Sequence, residues 1–139
     1  MRVDSIPAAL ERAAASGGRG VTLVGTREGE RRIGYDELLA VARRAAGGLS
    51  RAGIRTGDRV LLVLPAGAEF LVSFFGAMIL GAIPCPVSPP QGFGSRETFV
   101  RRLGQFAASV GARAAAVEPD LAGAAREGLP PGVTILSPA

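Results

Sequence analysis

At 139 residues, 47% of them hydrophobic and 20% charged, the chain has the length of one domain and enough apolar side chains to bury a core, which excludes a disordered segment. It contains no His and no Trp, and its 16 basic residues are all Arg, so it offers no imidazole base, no Ser-His or Cys-His nucleophile pair, no Schiff-base amine and no P-loop lysine. The formal net charge of +4 comes from arginines spread through every segment, and aromatic residues are only 5%, which gives neither the basic stripe nor the stacking platform of a nucleic-acid binder.

In chain order, Asp4 and Glu11 fall where a secretion signal needs an unbroken apolar core, so no such signal is expected. Ile6 to Ala15 is predicted as a helix, with Ser5 as N-cap, Pro7 in the first turn and Gly17-Gly18 as the stop, placing Ile6, Leu10 and Ala14 on one face. Val21 to Gly25 and Arg31 to Tyr35 flank the charged turn Arg27-Glu28-Gly29-Glu30 and predict a two-stranded hairpin near the edge of the structure. Asp36 to Ala52 follows as an amphipathic helix, with Leu38, Ala42, Ala45 and Leu49 at helical spacing and Gly53 as its stop.

The longest apolar stretch runs from Asp58 to Pro90. Arg59 to Leu64 is apolar at consecutive positions, as suits a strand covered on both faces, and Pro65 and Gly67 close it. Glu69 to Leu80 carries its carboxylate in the first turn and is then apolar on every side, which predicts a buried helix ended by Gly81. Ile83 to Val87 holds Pro84 and Pro86, so it can pair only at a sheet edge or over a few residues. Phe70 to Val87 is free of charge for eighteen positions, but Gly81 and the two prolines shorten the helix to core length, so no membrane span is expected. Cys85, the only thiol, reads as a small core residue; one Cys argues against disulfides and thiolate zinc and fits a reducing, cytoplasmic compartment.

Pro89 to Gly94 is a predicted loop, after which Ser95 caps a helix with Phe99, Leu103, Phe106 and Val110 on one stripe and Gly111 at its end. Arg113 to Val117 is a strand, Asp120 to Glu127 a short helix and Val133 to Leu136 another strand. From Arg59 onward, strand and helix alternate through four strands. The fold class is therefore α/β, a mostly parallel sheet with right-handed crossovers and helices on both faces, plus the N-terminal hairpin. No internal repeat, heptad run or low-complexity tail is present.

Gly92-Phe93-Gly94 lies between a strand and a helix, as a dinucleotide fingerprint does, and Glu118 at the end of the next strand could hold a ribose hydroxyl. An independent Rossmann-like nucleotide-binding module is thus one alternative, opposed by Glu97 at the third glycine position, by Pro89-Pro90 in the turn and by two prolines in the preceding strand. Asp58, Glu69, Glu97 and Glu118 are not paired by their spacing and read as a turn former, two first-turn helix charges and a strand-end surface charge. No catalytic, cofactor-binding or metal-ligating residue is assigned.

One constellation is more specific. Tyr35-Asp36-Glu37-Leu38, a helix ending at Gly53, Gly57-Asp58-Arg59-Val60 leading into Leu61 to Pro65, and an apolar helix closing on Gly81-Ala82-Ile83-Pro84 together resemble the N-terminal region of the adenylate-forming enzymes. These comprise acyl-CoA synthetases, adenylation domains of nonribosomal peptide synthetases, and luciferases. Pro89-Pro90, the Arg-bearing helix Arg96 to Val110 and Gly111-Ala112-Arg113 are most similar to the fatty acyl-AMP ligase branch, including loading domains of polyketide and peptide assembly lines. The resemblance implies a partial fold in which residues 1–139 form a single N-terminal subdomain, 1–34 as helix and hairpin and 35–139 as the α/β core. It implies an intact enzyme that uses ATP and Mg to convert a carboxylic, fatty acid to an acyl-adenylate and passes it to the thiol of CoA or an acyl carrier protein. The family's phosphate loop with its lysine, its adenine and ribose segments, its hinge and its C-terminal lysine have no counterpart in this sequence. The chain is accordingly expected to be scaffold, inactive by itself and with no cofactor of its own. Its expected partner is the remainder of the ligase; the alternative is a natural complementing module of a split ligase. An uncovered sheet edge would favour self-association.

Overall fold

The computed structural model describes residues 5–26, 29–90 and 94–137. In chain order the elements are α1 (Ile6–Ala15), β1 (Gly20–Thr26), β2 (Gly29–Gly34), α2 (Tyr35–Arg51), β3 (Arg59–Val63), α3 (Ala68–Leu80), β4 (Ile83–Pro86), α4 (Arg96–Val110), β5 (Ala112–Val117), a 3-10 turn (Pro119–Leu121), α5 (Ala122–Gly128) and β6 (Thr134–Leu136). They fall into two units, Met1–Gly53 with Ala66–Leu80, and Ile54–Pro65 with Gly81–Ala139.

The first unit contains α1, α2, α3 and the hairpin. Ser5 extends into its capping role, its hydroxyl accepting the Ala8 N–H at 3.2 Å. β1 and β2 pair antiparallel, with Val21 opposite Ile33 and Leu23 opposite Arg31; Arg27 and Glu28 of the expected turn lie outside the described residues. Tyr35, expected to end the second strand, instead opens α2, because Gly34 takes the extended N-cap conformation and the Tyr35 N–H is held by the Arg19 carbonyl at 2.9 Å. Leu10, Ile33, Leu38 and Leu39 form the unit's buried cluster, with Leu71 and Phe75 of α3 packed on it.

α2 buries Leu38, Leu39, Ala42 and Ala46, a stripe turned slightly from the expected one, with Ala45 and Leu49 half-buried beside it. The turn brings the small residues towards α3. A Cβ on Gly76 would sit 2.9 Å from the Ala45 Cβ and 3.1 Å from the Ala42 carbonyl oxygen, so the two helix backbones approach as closely as glycine and alanine permit. α3 differs from the fully buried helix its sequence predicts. Only Gly76 and Ala77 are buried, and its large side chains are half-buried, partly by covering one another. Phe70 and Phe74 stack at 6.0 Å between ring centroids, and Phe74 meets Phe75 edge-on at 5.5 Å. At 13 residues it is a short helix. Among the described residues no helix is long and apolar enough to cross a membrane.

The second unit is built on a four-stranded sheet in the order β4-β3-β5-β6, parallel at every pairing, as the alternation of strands and helices predicts. β3 is its centre, and Val60 to Leu64 are each at most 3% exposed. Consecutive burial requires cover on both faces, the reason five apolar residues follow one another here. Leu61 and Val63, with Ala115 and Val117 of β5, meet Leu103 and Ala107 of α4 and Ala125 of α5.

β4 shows how a proline-bearing segment can still pair. The Ile83 N–H donates to the Asp58 carbonyl at 2.8 Å and the Val87 N–H to the Leu62 carbonyl at 2.9 Å. Strand alternation therefore turns residues 84 and 86 away from β3, and both are proline, so no ladder hydrogen bond is lost. β4 is an edge strand, as its composition requires. The helix expected over Asp120 to Glu127 is divided: Pro119 opens a 3-10 turn after extended Glu118, and α5 proper starts at Ala122.

Candidate functional site

β3 is followed by β4 on one side of it and, after α4, by β5 on the other. The strand order thus reverses around β3, and in open α/β sheets the space outside the carboxyl ends of the strands near such a reversal is where ligands collect. Here the second unit has a cavity. Val87 makes the last hydrogen bond to β3, and the chain then leaves the sheet through Ser88, Pro89 and Pro90, whose fixed backbone φ angles keep it from continuing directly into a helix. α4 begins after Ser95, which is extended at φ −65°, ψ 132° and accepts the Thr98 N–H at 3.4 Å. The space between the departing strand and the helix is a half-open cavity of about 470 Å³.

From the strand side it is lined by Val87, Ser88, Pro89 and Pro90, and from α4 by Ser95, Thr98, Phe99, Arg102, Leu103 and Phe106. Val87, Phe99 and Leu103 also pack in the core of this unit, so the floor of the cavity is the core itself. Phe106 stands at the rim, 39% exposed. α4 is fixed at its far end too: Gly111 takes the left-handed conformation, and the Arg59 Nε donates to the Val110 carbonyl at 2.7 Å. Of the arginines on α4, Arg96 pairs with Glu127 at 2.5 Å. Arg102 is exposed, lines the cavity, and has no hydrogen bond or ion pair with the described residues.

The residues that the sequence singles out are not gathered there. Gly92 and Phe93 of the glycine pair lie outside the described residues, while Gly94 is exposed at the cavity. Glu97 occupies the first turn of α4, and Glu69 that of α3. Glu118 is half-buried at the end of β5, without a side-chain capping hydrogen bond. Asp58 is a turn former, its Oδ2 accepting the Arg55 N–H at 2.8 Å. No cluster of three or more potential metal ligands occurs among the described residues. Cys85 is half-buried and packs against the unit's core; burial pushes its thiol pKa up, opposed by the nearby positive charge of Arg59. A thiol raised in this way is the reverse of an activated nucleophile.

The cavity was not legible as a site. The stripe Phe99, Leu103, Phe106 and Val110 reads as plain core, yet the structure turns Phe106 outward to the rim. The available signal was Arg102 within an otherwise apolar stripe, facing a loop stiffened by two prolines. Chemically the cavity offers an apolar floor, hydroxyls and one guanidinium, which can bind a ligand but supply no base or nucleophile.

The model of the AMP-binding enzyme family matches residues 10–133. Among curated proteins, the salicyl-AMP ligase / salicyl-S-ArCP synthetase of Mycobacterium tuberculosis is 44% identical over 84 residues, covering 60% of this chain and 14% of that protein. The 4-coumarate–CoA ligase 3 of Arabidopsis thaliana is 42% identical over 55 residues, covering 40% and 10%. Among solved structures, a chain from work on fatty acyl-adenylate ligases of E. coli and L. pneumophila superposes with a TM-score of 0.85 at 26% identity, covering 94% of this chain and 24% of the other. The adenylation domain of a keto acid-selecting nonribosomal peptide synthetase module shares the fold, with a TM-score of 0.82 at 17% identity over 97% of this chain and 25% of that one. The matched stretch is thus a small share of each relative.

Proposed function

Because the chain belongs to the AMP-binding enzyme family, we propose that residues 1–139 are a single N-terminal subdomain of a ligase that activates a carboxylic acid, in the fatty acid size range, as its acyl-adenylate. One observation carries this reading: superposition of 94% of the chain on 24% of a fatty acyl-adenylate ligase at a TM-score of 0.85. Enzymes of this family use ATP and Mg, and the acyl-adenylate is then attacked by a thiol of CoA or of a carrier protein.

Stabilising the phosphates during such a reaction takes positioned cationic and backbone donors. No phosphate-binding role is given to any residue of this subdomain. The subdomain's contribution is rigidity. β3 is buried from Val60 to Val63, its neighbours hold it by parallel ladders, and α4 is capped at both ends. The working compartment is the cytoplasm, in keeping with a single reduced thiol.

The test is ATP–pyrophosphate exchange by the purified 139-residue chain with a panel of aliphatic and aromatic acids. No exchange above background is expected. Substantial exchange with any acid would overturn the scaffold reading.

A further inference from the structure

We draw no further inference here: the strongest candidate, the outer edge of β6 (Thr134–Leu136), which no strand pairs among the described residues, carries nothing, because nothing in the structure shows what covers it.

Discussion

The two units bury apolar surface by opposite means. In the first, helices α2 and α3 meet through Ala42, Ala45 and Gly76, so backbone approaches backbone and large side chains are left half-buried around the contact. In the second, four consecutive aliphatic residues of β3, Val60 to Val63, are buried, Leu61 and Val63 of them against α4 and α5, and the backbone is held by sheet hydrogen bonds. Contact built from small residues leaves little room to fill or to empty. Contact built from large ones is sensitive to lost volume, and it is in the second unit that the cavity occurs.

Leu61→Ala should break the second mode most severely. Leu61 is 0% exposed at the centre of the sheet's cluster, and a Leu to Ala change in a rigid core costs about 2–5 kcal/mol. Chemical denaturation should show the loss as a lower midpoint with little change in slope. The first mode should fail in the opposite sense, by overfilling. Gly76→Ala would place a methyl group 2.9 Å from the Ala45 Cβ. The strain of overpacking, about 1–3 kcal/mol, exceeds the gain in helix propensity of about 1 kcal/mol, so net destabilisation of up to about 2 kcal/mol is expected. A stabilised Gly76→Ala protein would show that the helices are free to separate.

Arg59→Met is a smaller perturbation. It keeps an apolar stem but removes the donor to the Val110 carbonyl at the end of α4. Loss of a C-terminal helix interaction of this kind is expected to cost about 0.5–1 kcal/mol. Hydrogen exchange should localise the effect to the last turn of α4 and leave α2 and α3 unchanged.

The sequence showed what depends on local chemistry. Ser5 and Ser95 cap helices as expected, and Gly53, Gly81 and Gly111 follow helices with positive φ. Pro84 and Pro86 required an edge strand, and β4 is one, for a reason visible in alternation alone. The parallel sheet and hairpin follow from the order of elements, and the family from short patterns such as Gly57-Asp58-Arg59-Val60, which lie inside the 10–133 span that the family model matches. What depends on three-dimensional proximity was not readable. The burial of α3 was overestimated because its hydropathy does not record that Phe70, Phe74 and Phe75 shield each other. The cavity was missed because a helical stripe does not reveal where the opposing chain diverges from it. That divergence is set by Pro89 and Pro90 acting on a neighbouring segment.

The smallest expected effect concerns Cys85, and its sign follows from burial. Desolvation raises the thiol pKa above its ordinary value of 9.0, and Arg59 opposes the rise. The folded chain then holds the thiol proton at pH values where the unfolded chain has released it. The associated stability is complete below the unfolded pKa and is lost as pH rises from about 9 through the folded value. Cys85→Ser should therefore flatten the alkaline end of the stability profile without moving the neutral part. Arg59→Met, by removing the opposing charge, should raise the thiol further and shift the pH dependence of its alkylation by iodoacetamide to more alkaline values. A shift in the acid direction would show that Arg59 acts on Cys85 through a change in burial instead of through its charge. Because the thiol lies in the second unit, amide exchange above pH 9, corrected for its intrinsic pH dependence, should rise in β3 and β4 before it rises in α2 and α3. Simultaneous opening of both would mean that the two packing modes share one cooperative transition.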